Sequence, residues 1–243
     1  MYANTLILGV SAIAGALADT GPGFPVQVGP TLNVTFGGNN VSPAGELIPR
    51  ADTASPPNVT TPVFTSAGKA VLFMVDSDVP RNGTRVELLH WLISNVTLAG
   101  DNQTLSFSGE GEAPYLQPSP PVGDTPHAYT LVLFPQPDNF TVPSQFNDVL
   151  ESRVFFNISN FVAAAGLSNP LAGNYIRVQN VSGTATQTFP PPRPTNATTS
   201  GSPSATSSIE PSPGLAAPAL GAGRVAWVGI ATALVAGVAA FAL

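Results

Sequence analysis

The apolar residues of this chain follow the alternation and the short continuous runs of β-strands. Residues 32–36 (LNVTF) alternate apolar and polar, and residues 69–76 (KAVLFMVD) form an apolar run that ends in an acid, as a buried central strand does. Two more strands are predicted at 90–96 and 128–134, with turns rich in proline and glycine between the strands. One helix is predicted over 158–165, where a glycine is placed to end it. The pattern predicts a mainly β fold, an antiparallel β-sandwich.

Both ends of the chain have the pattern of processing signals. Residues 1–18 are apolar and end in small residues, which predicts a secretory signal peptide cleaved after Ala18. Residues 224–243 form a hydrophobic tail that has no charge after Arg224 and that follows small and polar residues. This layout predicts a glycosylphosphatidylinositol (GPI) attachment signal. A retained terminal helix is the alternative. Residues 19–181 are then the domain, and residues 182–223, rich in Pro, Ser and Thr, are a stalk that includes the attachment region.

The number of N-glycosylation sequons also points to export. Ten asparagines stand in N-x-[ST] with x not proline: Asn33, Asn40, Asn58, Asn82, Asn95, Asn102, Asn139, Asn157, Asn180 and Asn196. Dense glycosylation would supply solubility to a surface with few charges. We therefore expect a glycoprotein of the secretory pathway, anchored at the plasma membrane or cell wall.

The charge and cysteine content exclude several classes of function. Only 9% of the residues are charged, with 8 Lys+Arg against 14 Asp+Glu and a net charge of −6. A nucleic-acid partner is not expected, because binding to phosphates requires a basic surface. The chain has no cysteine, which excludes disulfides, cysteine-ligated metals and cysteine nucleophiles. Its two histidines, His90 and His127, are the only imidazoles available to a functional site.

The remaining polar candidates lie at the ends of predicted strands. Asp76 and Asp78 follow a buried strand, and because they are two residues apart in an extended segment, both carboxyl groups point to one face. His90 opens a second strand. His127 precedes a third strand, and Tyr129 lies two residues further on the same side. We expect these five side chains to gather at strand ends beside turn-rich loops, where binding sites are common.

Three segments resemble one protein family. Residues 75–80, followed by His90-Trp91, resemble the D-P-D-x-P…H-W signature of phosphatidylethanolamine-binding proteins, which include the Raf kinase inhibitor proteins. Residues 120–129 resemble the second signature of that family, G-P-P-x-G-x-x-x-H-R-Y. Residues 153–175 are similar to its R-x-F…GL-x-x-P-x-A-G-N-[YF] segment. The segments occur in the family's order and spacing. Departures from the pattern are Ser77, Ser119 and Ala128, which replace a proline, a glycine and an arginine, and Leu89, where relatives often have a polar or aromatic residue.

The resemblance implies a Greek-key β-sandwich with a few peripheral helices and a binding activity without catalysis. The family's pocket takes anions such as phosphate, a phosphorylated residue or the head group of phosphatidylethanolamine, and it needs no cofactor or metal. Carried over, the pocket residues are Asp76, Asp78, His90, His127 and Tyr129, with Ser119 and Pro120 on the rim. Imidazole and phenol groups would donate to the phosphate. Because bare carboxylates would repel it, we expect at least one acid to be protonated or fully hydrogen bonded.

Other interpretations of the same residues remain open. Some relatives inhibit serine carboxypeptidases through surface segments, so protease inhibition is the main alternative function. The acids and histidines could instead serve only buried backbone groups. Two histidines with carboxylates could also bind Fe(II) or Zn(II), although no H-x-x-x-H or H-x-D spacing is present. A hydrolase would need a nucleophile, and the chain has no G-x-S-x-G motif.

Overall fold

A computed structural model describes residues 19–64 and 68–193. The predicted signal peptide, the GPI tail, most of the stalk and the sequon at Asn196 lie outside these residues. Within them, no helix combines the length and the apolar character needed to cross a membrane.

The described residues form nine strands and four short helical segments. The strands are β1 (Asn33–Phe36), β2 (Asn39–Asn40), β3 (Glu46–Leu47), β4 (Asn58–Thr60), β5 (Ala70–Arg81), β6 (Thr84–Leu98), β7 (Leu105–Ser106), β8 (His127–Pro135) and β9 (Ala172–Val178). The helices are α1 (Asn147–Ser152) and α2 (Ile158–Ala164), with 3₁₀ turns at Arg50–Thr53 and Ser144–Phe146. One sheet has the strand order β2-β1-β4, and the larger sheet has the order β3-β9-β8-β5-β6-β7.

The predicted fold class, mainly β with a few helices, is confirmed. The four predicted strands correspond to β1, β5, β6 and β8, and the predicted helix corresponds to α2. Helix α2 begins where the Asn157 side chain accepts a hydrogen bond from the Asn160 N–H (2.9 Å), and Gly166 follows its end with a φ of 63°. The pairing departs from a purely antiparallel sheet at one edge, because β3 runs parallel to β9.

The larger sheet is buried on both faces, which explains the continuous apolar run in β5. Leu72 and Met74 pack in the core that includes the three-stranded sheet, whereas Val71 and Phe73 pack in a second core with residues of α2 such as Phe161. Successive side chains of a strand point to opposite faces, so a strand between two cores needs apolar residues at every position.

The same topology brings the candidate polar residues to one end of the sheet. Strands β5 and β8 are antiparallel, with Asp76 opposite Tyr129, so the end of β5 meets the start of β8. Between β5 and β6 the register shifts, because Trp91 pairs with Met74 while Leu89 pairs with Val75. His90 is left without a partner in the ladder, and a bulge of this kind can redirect a side chain.

Residues 182–193, predicted as the beginning of the stalk, lie against the domain. Arg85 Nη2 donates to the carbonyl oxygen of Pro190 at 2.6 Å. A Cβ atom on Gly123, whose φ is 81°, would lie 2.3 Å from Cβ of Ala185. Residues 182–193 are therefore in contact with the predicted domain. The prolines of this segment prevent regular structure, but the carbonyl oxygens of Pro190 and Pro191 accept hydrogen bonds from the Arg85 side chain, which is 4% exposed.

Candidate functional site

His127 lies fully buried between two acids. Its Nδ1 is 2.8 Å from Oδ2 of Asp76, and its Nε2 is 3.0 Å from Oδ2 of Asp124. Burial by itself would lower the pKa of His127, but the hydrogen bonds and charges of Asp76 and Asp124 outweigh burial and raise the pKa. Because a carboxylate oxygen only accepts, each ring nitrogen donates to the acid beside it, and the ring is then an imidazolium.

Asp124 joins this histidine to an arginine. Arg85 donates to both oxygens of Asp124, at 2.6 and 2.7 Å, and the two side chains are 4% and 0% exposed. Burial would raise the pKa of Asp124, but the hydrogen bonds from Arg85 and His127 dominate and hold it below its usual range. Arg85 Nη1 also donates to the carbonyl oxygen of Asp78 at 2.6 Å. Two acids thus alternate with two cations in one buried chain of contacts, Asp76, His127, Asp124 and Arg85.

Asp76 and Asp78 are both engaged by hydrogen bonds. Oδ1 of Asp76 accepts from the Asp78 N–H at 2.7 Å, so both of its oxygens have donors. Oδ2 of Asp78 accepts from the N–H of Ala128 at 2.8 Å. Burial, together with the nearby Asp76, raises the pKa of Asp78 despite that bond. Asp76, with a donor to each oxygen, meets the expectation that at least one acid is protonated or fully hydrogen bonded.

His90 has the opposite environment from His127. Its Nδ1 is 2.8 Å from the carbonyl oxygen of Leu116, and only 3% of the residue is exposed. Burial lowers the pKa of His90 by more than Asp76 and the Leu116 bond raise it, so the ring is neutral at pH 7. Its Nε2 has no hydrogen-bond partner among the described residues.

Tyr129 lies between the two histidines. Its ring centroid is 5.0 Å from that of His90, edge to face, and 6.4 Å from that of His127. The side chain is fully buried, and in the described part of the chain its hydroxyl group has no partner in hydrogen-bonding geometry. Burial, and then the charge of Asp76, raises the pKa of Tyr129 far above that of an ordinary phenol. Tyr129 therefore keeps its proton and can donate it in a hydrogen bond.

The predicted rim residues belong to a loop fixed from two sides. Ser119 is exposed, and its Oγ accepts from Arg50 Nη2 at 2.9 Å. Arg50 Nε also donates to the carbonyl oxygen of Pro118 (3.2 Å), and Asn180 Nδ2 donates to that of Pro120 (3.2 Å). The serine at the family's glycine position thus provides an acceptor for Arg50. Ser119 Oγ also donates to the carbonyl oxygen of Gln117 at 3.2 Å. Within the described residues, neither Ser119 nor Pro120 is hydrogen bonded to a histidine side chain.

The structure therefore brings together the five predicted pocket residues, and it adds two that the sequence interpretation missed. Asp124 and Arg85 are hydrogen bonded to predicted residues, but they are 39 positions apart in the sequence, and nothing in their local pattern links them. The scarcity of charge was an available signal, since a charged residue three positions from His127 is unusual in this chain. Among residues 19–64 and 68–193, no group of three or more His, Asp or Glu side chains is placed to hold a metal ion.

Comparisons with known proteins give matches that cover most of the described residues. Residues 25–186 match the family described as "Phosphatidylethanolamine-binding protein". "Phomoidride biosynthesis cluster protein N" of Talaromyces stipitatus is 34% identical over 193 residues, which cover 72% of this chain and 97% of that protein. "Protein BROTHER of FT and TFL 1" of Arabidopsis thaliana is 30% identical over 151 residues, 61% of this chain and 80% of that protein. A solved structure of carboxypeptidase Y inhibitor, complexed with its cognate proteinase, is similar in fold, with a TM-score of 0.51 at 19% identity, covering 63% of this chain and 85% of the inhibitor.

Proposed function

The chain belongs to the phosphatidylethanolamine-binding protein family, and on that premise we propose that it is a non-catalytic binding protein for a phosphate group or a phospholipid head group. One observation carries the proposal: His90 Nε2 and Tyr129 Oη are buried and have no partner in the described residues. A buried polar atom without a hydrogen bond costs about 1–3 kcal/mol. A ligand that bonds to both atoms would remove that cost.

The neighbouring charged residues support a binding role. Asp76, Asp124 and Arg85 hold His127 in a closed set of contacts, so both of its nitrogens are engaged. A histidine in that state cannot accept a proton from a substrate, which argues against general-base catalysis at this position. The set instead forms a rigid, charge-compensated base for the pocket, and the phenol of Tyr129 is available to donate to a phosphate oxygen.

Removal of the Tyr129 hydroxyl group tests the proposal. Phosphoethanolamine is titrated into the wild-type protein and into Tyr129→Phe, with calorimetry as the measurement. Loss of one hydrogen bond to a charged group should weaken binding by about 10- to 100-fold, because such a bond contributes roughly 1.5–3 kcal/mol. Tyr175→Phe is the matched control, since the Tyr175 ring packs against Gly45. Equal affinity in both variants, or no binding by the wild type, contradicts the proposal.

Protease inhibition is the second candidate function, and the fold shared with carboxypeptidase Y inhibitor is the reason to test it. An inhibitor that acts through surface segments does not depend on the buried phenol. Inhibition of a serine carboxypeptidase should therefore be equal for the wild type and Tyr129→Phe. A protein that binds phosphoethanolamine and leaves the protease active would eliminate this candidate.

We also propose that the protein is exported, N-glycosylated and held at the cell surface by a GPI anchor. Eight of the nine sequon asparagines in the described residues are exposed, which supports access by the glycosylation machinery. Treatment of intact cells with a phosphatidylinositol-specific phospholipase should release the protein, and removal of N-glycans should reduce its apparent mass. Resistance to the phospholipase, with the tail of residues 224–243 retained in the mature protein, would contradict the anchor.

A further inference from the structure

We propose that His90 meets its ligand as a hydrogen-bond acceptor, through Nε2, so that the site selects phosphate-type ligands that carry a proton to donate. This inference rests on the proposed function, because it specifies the chemistry of the same pocket. Hydrogen phosphate and the ammonium-bearing head group of phosphatidylethanolamine have such a donor. Sulfate, and a phosphate monoester dianion without an ammonium N–H, have none.

The position of the proton on His90 follows from its backbone partner. The carbonyl oxygen of Leu116 can only accept, so the Nδ1 atom 2.8 Å away carries a hydrogen. The Leu116 N–H donates in turn to the carbonyl oxygen of His90 at 2.8 Å, which holds the two segments together from both sides. In a neutral ring with a hydrogen on Nδ1, Nε2 has a lone pair and no hydrogen.

The surroundings of His90 keep the ring neutral. His127 has a carboxyl oxygen at each nitrogen, whereas no carboxyl oxygen lies within hydrogen-bonding distance of either nitrogen of His90 in the described residues. The charged groups around His90 are Asp76 on β5, His127 on β8 and Arg153 after α1. Arg153 Nη1 also donates to the carbonyl oxygen of His90 at 3.4 Å. Burial is the main reason that the pKa of His90 is lowered, and the two cations add to its effect, whereas Asp76 opposes it without reversing it.

The two unpaired atoms therefore have complementary roles. Nε2 of His90 accepts, and the hydroxyl group of Tyr129, whose ring is in edge-to-face contact with His90, donates. A ligand with both a donor and an anionic oxygen satisfies both atoms. An anion without a proton would place the lone pairs of its oxygens against the lone pair of Nε2. The nitrogen would then stay buried without a hydrogen bond. Asp76, which lies near both rings, adds repulsion toward such an anion.

Two matched pairs of probes at pH 8 test the inference by calorimetry. Hydrogen phosphate and sulfate are dianions of similar size that differ in the proton. Phosphoethanolamine and phosphocholine are both phosphate dianions at pH 8, since the second pKa of a phosphate monoester is about 6, and they differ in the ammonium N–H. We expect the donor-bearing member of each pair to bind about 10-fold more tightly or better.

The source of the phosphate group is decided by a third measurement. Vesicles that contain phosphatidylethanolamine are compared with vesicles of phosphatidylcholine, and hydrogen phosphate is added as a competitor. Binding to the first vesicles alone identifies a lipid head group, whereas binding of hydrogen phosphate without vesicle binding identifies a small soluble ligand. Binding to the first vesicles alone also supports the donor requirement, and equal binding to both kinds of vesicle contradicts it.

Nuclear magnetic resonance of the ¹⁵N-labelled protein examines the tautomer directly. At pH 7, Nε2 of His90 should have the chemical shift of an unprotonated ring nitrogen, and both nitrogens of His127 should have shifts of protonated ones.

Two variants separate the roles of the two side chains in the calorimetric assay. The variant Tyr129→Phe should lower the affinity for both members of each pair of probes and leave the ratio of the two affinities unchanged. The variant His90→Phe, whose fold is checked by circular dichroism, should bring the ratio close to one.

Failures of the two proposals can be told apart. If sulfate and phosphocholine bind as tightly as their partners, or if Nε2 of His90 is protonated, the donor requirement is wrong and the pocket assignment stands. If none of the four probes binds, the proposed function fails, and the inference about His90 fails with it.

Discussion

Replacement of Asp124 by asparagine tests whether the buried charge chain holds the pocket together. The carboxylate accepts two bonds from Arg85, one from His127 Nε2 and one from the Thr125 N–H. Asparagine keeps the shape, but it replaces one acceptor oxygen with an NH₂ group that faces donors. It also removes the negative charge between two buried cations. No new sequon arises, because Pro126 occupies the third position.

The expected loss of stability follows from this geometry. Removal of one partner of a buried ion pair typically costs about 3–5 kcal/mol, because the remaining charge stays buried without compensation. A domain of this size is stable by only about 5–15 kcal/mol in total. With a slope of about 2 kcal/mol per molar urea, the unfolding midpoint should fall by roughly 2 M. The exposed Asp138 provides the control, and Asp138→Asn should change the unfolding free energy by less than about 0.5 kcal/mol.

The pH dependence gives a second readout with a defined sign. The pKa of His127 is raised in the folded protein, so its contribution to stability is complete below about pH 6.5, the unfolded value, and is lost as pH rises through the folded pKa. His90 has a lowered pKa, so its contribution has the opposite sign, and it fades within about one pH unit above the unfolded value of about 6.5. In Asp124→Asn the decline above pH 6.5 should be shallower, because Asp76 alone then raises the pKa of His127.

The assay is urea unfolding followed by circular dichroism at several pH values between 6 and 9. Equal midpoints for Asp124→Asn and Asp138→Asn would refute the reasoning, since the contacts of Asp124 would then contribute nothing to stability. An unchanged pH slope in Asp124→Asn would show that His127 is not held as an imidazolium by this acid.

Two further predictions concern single positions. In urea unfolding, Gly111→Ala should destabilise the domain by about 2 kcal/mol or more relative to Gly109→Ala. Both glycines have positive φ, but a Cβ on Gly111 would lie 2.3 Å from the Leu92 carbonyl oxygen, whereas a Cβ on Gly109 would have no atom within 4 Å. Equal unfolding midpoints for the two variants would contradict the packing at Gly111. Glycopeptide mass spectrometry should find Asn180 glycosylated far less than Asn102. Asn180 is half-buried and its Nδ2 donates to the Pro120 carbonyl oxygen, whereas Asn102 is exposed in a turn. Equal occupancy of the two sites would count against the hydrogen bond between Asn180 and Pro120.

The sequence alone determined the elements whose signal is local. Alternation and apolar runs located β1, β5, β6 and β8, because the direction of a side chain along a strand depends only on its position. The i, i+2 spacing of Asp76 and Asp78 placed both acids on one side for the same reason. A local signal was also missed: the Asn82-Gly83 pair, with φ of 50° and 76°, forms the turn that extends β5 and β6 beyond their predicted ends.

Only the tertiary structure decided the chemical state of the pocket. The two histidines have the same intrinsic pKa, yet His127 is charged because Asp76 and Asp124 approach it, and His90 is neutral because it is buried beside the carbonyl oxygen of Leu116. These contacts join segments far apart in the chain, and one depends on a bulge that no periodicity encodes. Charge state is set by burial and by the distance to other charges, and both quantities exist only once the chain is folded.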